Sequence, residues 1–287
     1  MSKFVLSAFA DEAGETLEEQ IAALKRNNIR YLEIRGVNGQ NICSTAYEKV
    51  FEYKEQLDAA GIKVETIGSP VGKLELTSDY NAHLAMFLHT LGVAKILGAS
   101  RIRMFSIFMP ENENPDDYKQ LVMERMQEMI DIAEGTGITL YHENEKGIFG
   151  DNEKRVAELM DAFEGKMKFI FDPANFVQCG CNPLEIYPKL KERVAYFHMK
   201  DARADTHAVV PVGEGSGGIP QILADFAKDH DNIMLTIEPH LKSFAGLQDE
   251  VSMQDSQEVI YKDNNEAFDI AVAALKAVLD NASLSYE

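Results

Sequence analysis

The sequence predicts a single (β/α)8 TIM barrel, with one domain spanning residues 1–287. Short apolar runs that favour β-structure alternate with amphipathic helical patterns along the whole chain, which is typical of a parallel sheet with helical crossovers. Eight such strand–helix units follow one another without a low-complexity linker. Eight units in about 250 residues match a closed barrel. The turn after the first strand, 9–14, lacks the glycine-rich dinucleotide fingerprint, which disfavours an open Rossmann sheet.

The first four units are bounded by ordinary helix signals. Thr16 and Glu19 have the spacing of a capping box at the start of the first helix. Gly61 and Gly98 follow the second and third helical patterns and are typical helix terminators. The predicted strands of this half are 4–9, 31–35, 63–68 and 101–106, and the predicted helices are 16–27, 44–60, 79–97 and 116–134.

The last four units repeat the pattern. Pro173 lacks the N–H that a sheet needs, so the sixth strand should end at Asp172. The segment 241–262 has little pattern and is too long for a simple connector, so we expect it to be a lid or a subunit contact in a homo-oligomer. The predicted strands of this half are 138–143, 168–172, 194–198 and 233–238, and the predicted helices are 152–163, 183–191, 218–229 and 264–279.

Four consecutive strands end on groups that can bind a metal, namely Glu143, Asp172, His198 and Glu238. In a TIM barrel the carboxyl ends of the strands surround the active site. Three carboxylates in one partly dry pocket repel one another unless a cation lies between them. Three carboxylates and an imidazole suit Mn²⁺, Co²⁺, Mg²⁺ or Zn²⁺. The alternative interpretation is that each residue has a separate structural role, as a cap, a loop residue or a core histidine.

The motifs around these residues resemble those of the xylose isomerase-like barrels, and in particular the sugar phosphate isomerases and epimerases. The resemblance implies one divalent cation bound by the four strand-end residues, with Glu143 and Glu238 also moving a proton through a metal-bound cis-enediolate. It implies a small sugar or sugar phosphate as the substrate. The motifs are His142-Glu143-Asn144-Glu145, Phe171-Asp172-Pro173-Ala174-Asn175-Phe176, His198-Met199-Lys200-Asp201, Gly213-Glu214-Gly215 and Ile237-Glu238-Pro239-His240.

The chain departs from the related ketose epimerases at two positions. Asn175 stands where those enzymes have a histidine, and Ala204 stands where they have an arginine. The substrate contacts of those enzymes therefore cannot be transferred. A metal-dependent dehydratase of keto-polyols, similar to inosose dehydratase, stays open because enolisation is its first step too. An endonuclease IV-like phosphodiesterase and a non-catalytic sugar-binding barrel are further alternatives.

Six residues near the predicted mouth are candidates for substrate binding. Lys200 lies on the same strand face as His198 and is interpreted either as a substrate contact or as a salt-bridge partner of a ligand carboxylate. Arg35 and Lys73 follow strands two and three and are interpreted as phosphate-binding groups or as exposed loop cations. His240 is either a group behind Glu238 or an ordinary loop histidine. The full candidate set is Asn175, Lys200, Glu214, Arg35, Lys73 and His240.

The composition limits the possible partners. A net charge of −19 disfavours nucleic acid and anionic membranes as partners. No apolar run is long enough for a membrane span, and no signal-peptide pattern is present, so we expect a cytoplasmic protein. Three cysteines cannot all pair, which fits a reducing compartment. The segment 212–218 lacks the lysine of a P-loop and is interpreted as a flexible rim loop, so no organic cofactor is expected.

Overall fold

Eight parallel strands close into a barrel, as the sequence predicts. The structure is a computed structural model that describes residues 3–244 and 261–287. The strands follow one another around the ring in chain order, and the first pairs with the last to close it. The barrel strands are β1 (Phe4–Ala8), β2 (Tyr31–Ile34), β3 (Lys63–Ile67), β4 (Arg101–Met104), β5 (Thr139–Glu143), β6 (Met167–Phe171), β7 (Val194–Met199) and β8 (Ile233–Ile237).

The helices between the strands begin and end at the predicted signals. The capping box of Thr16 and Glu19 forms in both directions. Gly61 and Gly98 end their helices in the left-handed region, with φ of 73° and 77°. The helices are α1 (Leu17–Arg26), α2 (Tyr47–Ala60), α3 (Tyr80–Leu97), α4 (Lys119–Ala133), α5 (Glu153–Ala162), α6 (Pro173–Gln178), α7 (Pro183–Leu190), α8 (Ile219–Phe226) and α9 (Asn264–Asn281).

The structure contains three short elements that were not predicted from the sequence. Helix α6 begins at Pro173, so this proline both ends strand β6 and starts a helix. Two small antiparallel ribbons extend the barrel mouth, one pairing 36–37 with 40–41 and the other pairing 201–202 with 209–210. The predicted helix 116–134 begins instead as a 3-10 turn over Pro115–Tyr118.

On strands β5 to β8, the inward-facing side chains change from apolar within the barrel to polar at its mouth. Tyr141, Ile170, Tyr196 and Met234 form a small buried cluster of their own, separate from the main core. Residues two apart on a strand share a face. The next inward positions toward the mouth therefore include Glu143 on β5, and the position after β6 is Asp172. The strand parity places the predicted ligands on one surface.

Some expectations concern residues beyond this description. Most of the segment 241–262, predicted to be a lid or a subunit contact, lies outside the described residues.

Cys43, Cys179 and Cys181 are all free thiols. Within residues 3–244 and 261–287, no helix combines the length and apolar character needed to cross a bilayer.

Candidate active site

The four strand-end residues meet in one buried cluster. One ligand atom from each of Glu143, Asp172, His198 and Glu238 lies within 4.8 Å of the ligand atoms of the other three. None of these residues is more than 1% exposed. Groups that are up to 95 positions apart in the chain thus form a single set of three carboxylates and one imidazole. This is the constellation that the sequence predicts.

Reciprocal hydrogen bonds fix the ends of β5 and β6 against each other. The Asn144 side-chain amide donates to the Asp172 carbonyl at 2.9 Å, and the Asp172 N–H donates to Asn144 Oδ1 at 2.9 Å. Asn175 adds a second connection, since its Nδ2 donates to Glu143 Oε1 at 3.3 Å and to the Asn144 carbonyl. Asn175 thus holds the Glu143 carboxylate in place.

Asp172 has one oxygen in use and one free of hydrogen bonds. Its Oδ1 caps helix α6 by accepting from the Asn175 N–H at 2.9 Å. Its Oδ2 is buried and accepts no hydrogen bond from the described residues, although Lys200 Nζ lies 3.2 Å away. Burial raises the pKa of Asp172 to about 8, against the lowering effect of Lys200. With Oδ1 used by the cap, Oδ2 is the oxygen available to a cation.

His198 is held between two carboxylates. Its Nδ1 lies 2.9 Å from Glu143 Oε1, and its Nε2 lies 3.2 Å from Glu33 Oε2. Phe9 packs edge-on against the ring at 5.2 Å between centroids. Burial would lower the pKa of His198, but Glu143 and Glu33 raise it to about 10. Because Glu33 uses Nε2, the nitrogen left for the ligand cluster is Nδ1.

Glu33 belongs to the site but was not predicted from the sequence. It is fully buried inside the barrel, and its Oε2 also accepts from Thr236 Oγ1 at 3.0 Å and from the Tyr196 hydroxyl at 3.2 Å. A buried carboxylate with this many donors serves to orient the imidazole that it touches. The signal for it was the alternation of apolar and charged residues along β2, Leu32-Glu33-Ile34-Arg35.

Arg103, on β4, is a second missed residue. Its Nη1 lies 3.1 Å from Glu143 Oε2 and 3.6 Å from Glu238 Oε1, so it joins the two glutamates. Burial would raise the pKa of Glu143, but His198 and Arg103 lower it below its usual range. Burial opposes ionisation of Glu238 as well, but Lys200 and the cations around it lower its pKa well below the usual range. Both glutamates are therefore carboxylates at neutral pH.

Arg35 is buried rather than an exposed loop cation. Its guanidinium donates to Asp11, to Glu12 Oε1 at 3.0 Å and to Glu238 Oε1 at 3.2 Å. His240 lies beside the same group, with its Nε2 3.5 Å from Glu238 Oε1. His240 is therefore a group behind Glu238, which was one of the two interpretations offered by the sequence.

The other three candidates differ in their distance from the cluster. Lys200 Nζ lies 3.2 Å from Glu238 Oε2 as well as from Asp172, which agrees with the salt-bridge interpretation. Lys73 pairs with Glu145 at 3.1 Å, with its side chain 15% exposed. Glu214 is exposed on the glycine-rich segment.

The glycine-rich segment, expected to be flexible, is tied to a buried carboxylate. Asp201 accepts hydrogen bonds from the N–H groups of Gly213, Gly215 and Gly217 at 2.9–3.1 Å, and from that of Ala202 at 2.9 Å. A Cβ at Gly215 would lie 2.2 Å from Asp201 Oδ1, so glycine is needed for this close approach.

The residues present fit a divalent cation. Asp172 Oδ2 is buried and accepts no hydrogen bond from the described residues, and it belongs to a set of four residues whose ligand atoms lie within 4.8 Å of one another. Carboxylate and imidazole donors suit Mn²⁺, Co²⁺, Mg²⁺ or Zn²⁺. The bond from the other ring nitrogen to a carboxylate is the usual accompaniment of a metal-ligating histidine.

The comparisons with known proteins agree with this architecture. A family model described as xylose isomerase-like TIM barrel matches residues 21–263. No curated protein matches the sequence. Similar solved structures include the IOLI protein with a bound zinc atom (TM-score 0.74, 14% identity, 98% of this chain and 99% of that one), D-allulose 3-epimerase from Methylomonas sp. (0.73, 13%, 97% and 99%) and a probable 3-DHS dehydratase from Bacillus anthracis (0.70, 15%, 97% and 98%). At these identities the likeness establishes a shared fold.

Proposed function

The chain belongs to the xylose isomerase-like TIM barrel family, and on that premise we propose that it is a divalent-metal-dependent isomerase or epimerase of a small sugar. Its four ligands would be Glu143, Asp172, His198 and Glu238. The neighbours in structure include epimerases and a dehydratase, and one carries zinc.

The main support for this proposed activity is that two ionised glutamates face each other across shared cations. Glu143 and Glu238 both approach His198 Nδ1, at 2.9 and 3.7 Å, and both approach Arg103 Nη1, at 3.1 and 3.6 Å. They come from β5 and from the end of β8, which are different sides of the ring. Two bases that reach one pocket from different strands are suited to a reversible proton shift.

The cation, when bound, supplies Lewis-acid polarisation of a carbonyl, which acidifies the neighbouring C–H. One glutamate would then remove the carbon-bound proton, and the other, after taking up a proton from water, would return one; both carboxyl groups would exchange protons with solvent before the next turnover. Return to the opposite face of the same carbon gives epimerisation, and return to the adjacent carbon gives aldose–ketose isomerisation. Arg103 donates a hydrogen bond to Glu143 Oε2, and Asn175 restrains Glu143 through the 3.3 Å bond to Oε1.

A dehydratase is the second candidate, because the pocket also holds an acid. Lys200 Nζ is 3% exposed and lies 3.2 Å from Glu238 Oε2. After removal of the carbon-bound proton, an ammonium in this position is able to protonate a departing hydroxyl. The probable 3-DHS dehydratase has a similar fold at a TM-score of 0.70.

The test is a substrate panel in D₂O. Protein loaded with Mn²⁺, Co²⁺, Mg²⁺ or Zn²⁺ is incubated with ketoses, aldoses, their phosphates and keto-polyols, and substrates are followed by NMR and mass spectrometry. Deuterium entering a carbon position of an intact sugar supports the isomerase or epimerase. Loss of water with an enone-type absorbance supports the dehydratase. Tight sugar binding without exchange or product, or protein that takes up no metal, contradicts the proposal.

A further inference from the structure

A second group of potential ligands lies beside the first and shares one residue with it. Glu12, Glu238 and His240 are all buried, and one ligand atom from each lies within 4.8 Å of the others. Glu238 belongs to both groups, and its two oxygens divide between them. Oε2 lies 3.2 Å from Lys200, next to Asp172, whereas Oε1 lies 3.5 Å from His240 Nε2. A carboxylate with this arrangement resembles one that bridges two metal ions.

Arg35 occupies the second group. Its Nη2 lies 3.0 Å from Glu12 Oε1, and its Nη1 lies 3.2 Å from Glu238 Oε1 and 3.4 Å from His240 Nε2. The guanidinium therefore touches every member of the trio. Its remaining donors reach Asp11, with Nε 3.0 Å from Oδ2 and Nη2 3.1 Å from Oδ1.

The guanidinium is also enclosed above and below. Its central carbon lies 4.5 Å from the ring centroid of Phe9 and 4.5 Å from that of Phe244. Arg35 is 5% exposed. With its in-plane donors committed to carboxylates and both faces covered by phenyl rings, this cation has no direction left for a substrate phosphate.

We propose that Arg35 is an internal cation that holds the place of a second metal ion and keeps the centre mononuclear. This inference rests on the proposed metal-dependent function. A centre with one ion would not hydrolyse phosphate esters by the two-metal mechanism, because that mechanism needs two metals about 3.5–4 Å apart. A single ion beside a tethered guanidinium suits a neutral carbonyl and hydroxyl pair instead.

The experiment counts bound ions after Arg35 is replaced. Arg35→Met removes the guanidinium and leaves the trio, whereas Arg35→Lys keeps a positive charge in the same place. Because Arg35→Met exposes surplus negative charge, a second variant adds Asp11→Asn, which removes a carboxylate outside the trio. A third adds Glu12→Gln, which removes a ligand of the second group. Each protein is dialysed against Mn²⁺ and measured by elemental analysis and calorimetry.

The expected counts separate the possible outcomes. Wild type and Arg35→Lys should bind about one ion, both Arg35→Met and its Asp11→Asn combination about two, and the Glu12→Gln combination about one again. One ion in every folded variant overturns the inference while leaving the proposed function intact. No ion in the wild type overturns both. Variants that stay unfolded at saturating Mn²⁺ also contradict the inference, because a second ion should restore the charge balance.

Discussion

The Nε2 of His198 lies 3.2 Å from Glu33 Oε2, and both side chains are fully buried. This contact joins strands β7 and β2, which lie on different sides of the ring. With Glu33 accepting the Nε2 proton, Nδ1 is the nitrogen presented to Glu143. The ring orientation, and hence the ligand atom, is set by a residue that is itself outside the ligand set.

Replacing Glu33 with Gln should weaken metal binding by about 10–100-fold, the usual effect of losing the group behind a metal-ligating histidine. The amide offers a poorer acceptor to Nε2 and allows the proton to move to Nδ1. Competition with a chromophoric chelator measures the affinity. Tyr196→Phe is the control, since it removes a hydroxyl bonded to Glu33 but leaves the Glu33–His198 contact. A folded Glu33→Gln protein with wild-type affinity would contradict this role.

Asp172→Asn should lower metal affinity by orders of magnitude and leave the fold intact. Asn keeps an oxygen to cap α6, and it removes a carboxyl whose ionisation is opposed by burial. The metal-free variant should stay folded, because Lys200 keeps Glu238 as a buried partner, and circular dichroism checks this. Asp172→Ala serves as the comparison, because it also loses the cap at a cost of about 1 kcal/mol. Retained metal in Asp172→Asn would remove this residue from the ligand set.

Glu143→Gln and Glu238→Gln should each lower turnover by about 10²–10⁴, the range of an acid–base contribution. Both residues are also predicted ligands, so activity alone does not separate the two roles. The informative measurement is deuterium exchange into substrate by a Gln variant that has been shown to hold metal and to bind the sugar. Exchange at the wild-type rate in both loaded variants would mean that another group, with Lys200 the nearest ammonium, moves the proton.

Lys200→Met should tighten metal binding by about tenfold, because a cation that competes for Asp172 and Glu238 is removed. The metal-free protein should lose roughly 3–5 kcal/mol of unfolding free energy, as expected when one partner of a buried pair is removed. Lys189→Met, which breaks an exposed pair with Glu153, should change neither quantity appreciably. Weaker metal binding in Lys200→Met would show that the ammonium supports the site.

Acid should destabilise the fold through His83, which lies on α3. The Gly72 N–H donates to His83 Nε2 at 2.9 Å, so the ring acts as a neutral acceptor. Burial and the charge of Arg125 lower the pKa of His83 below 6.5. The unfolded chain then binds the proton more readily, so this contribution is present above about pH 6.5 and is lost as the pH falls below it. Denaturant midpoints of wild type and His83→Gln between pH 8 and 5 provide the measurement. Parallel curves would exclude His83.

The strand-end ligands could be predicted because each stands at a visible transition in the sequence. Apolar runs end at Glu143, Asp172 and Glu238, and a proline follows two of these directly. The barrel rule then places such residues together without any knowledge of tertiary contacts. Helix α6 was missed because Pro173 was interpreted only as the end of a strand, although Asp172 caps the helix that it begins.

The supporting charges could not be found in the same way. Glu33 and Arg103 lie within strands, where a charged residue alternating with apolar ones ordinarily indicates a solvated face. In a closed barrel that face is the interior. The burial of Arg35 could not be predicted, because its partners Asp11 and Glu12 follow β1 and reach it only once β1 and β2 pair. Ion pairs between neighbouring strand ends form only in the closed barrel, so they cannot be predicted from the separate sequence segments.

The carboxylate of Asp201 gives the barrel rim an anion of its own. Four backbone N–H groups converge on it, and such a concave set of donors is the kind of receptor that elsewhere binds phosphate. A phosphoryl group arriving here would have to compete with a ligand tethered to the same chain, whose effective concentration greatly exceeds that of a free metabolite. We therefore expect this loop not to bind the phosphate of a sugar phosphate, so that any phosphate contact of the proposed enzyme would lie elsewhere around the mouth.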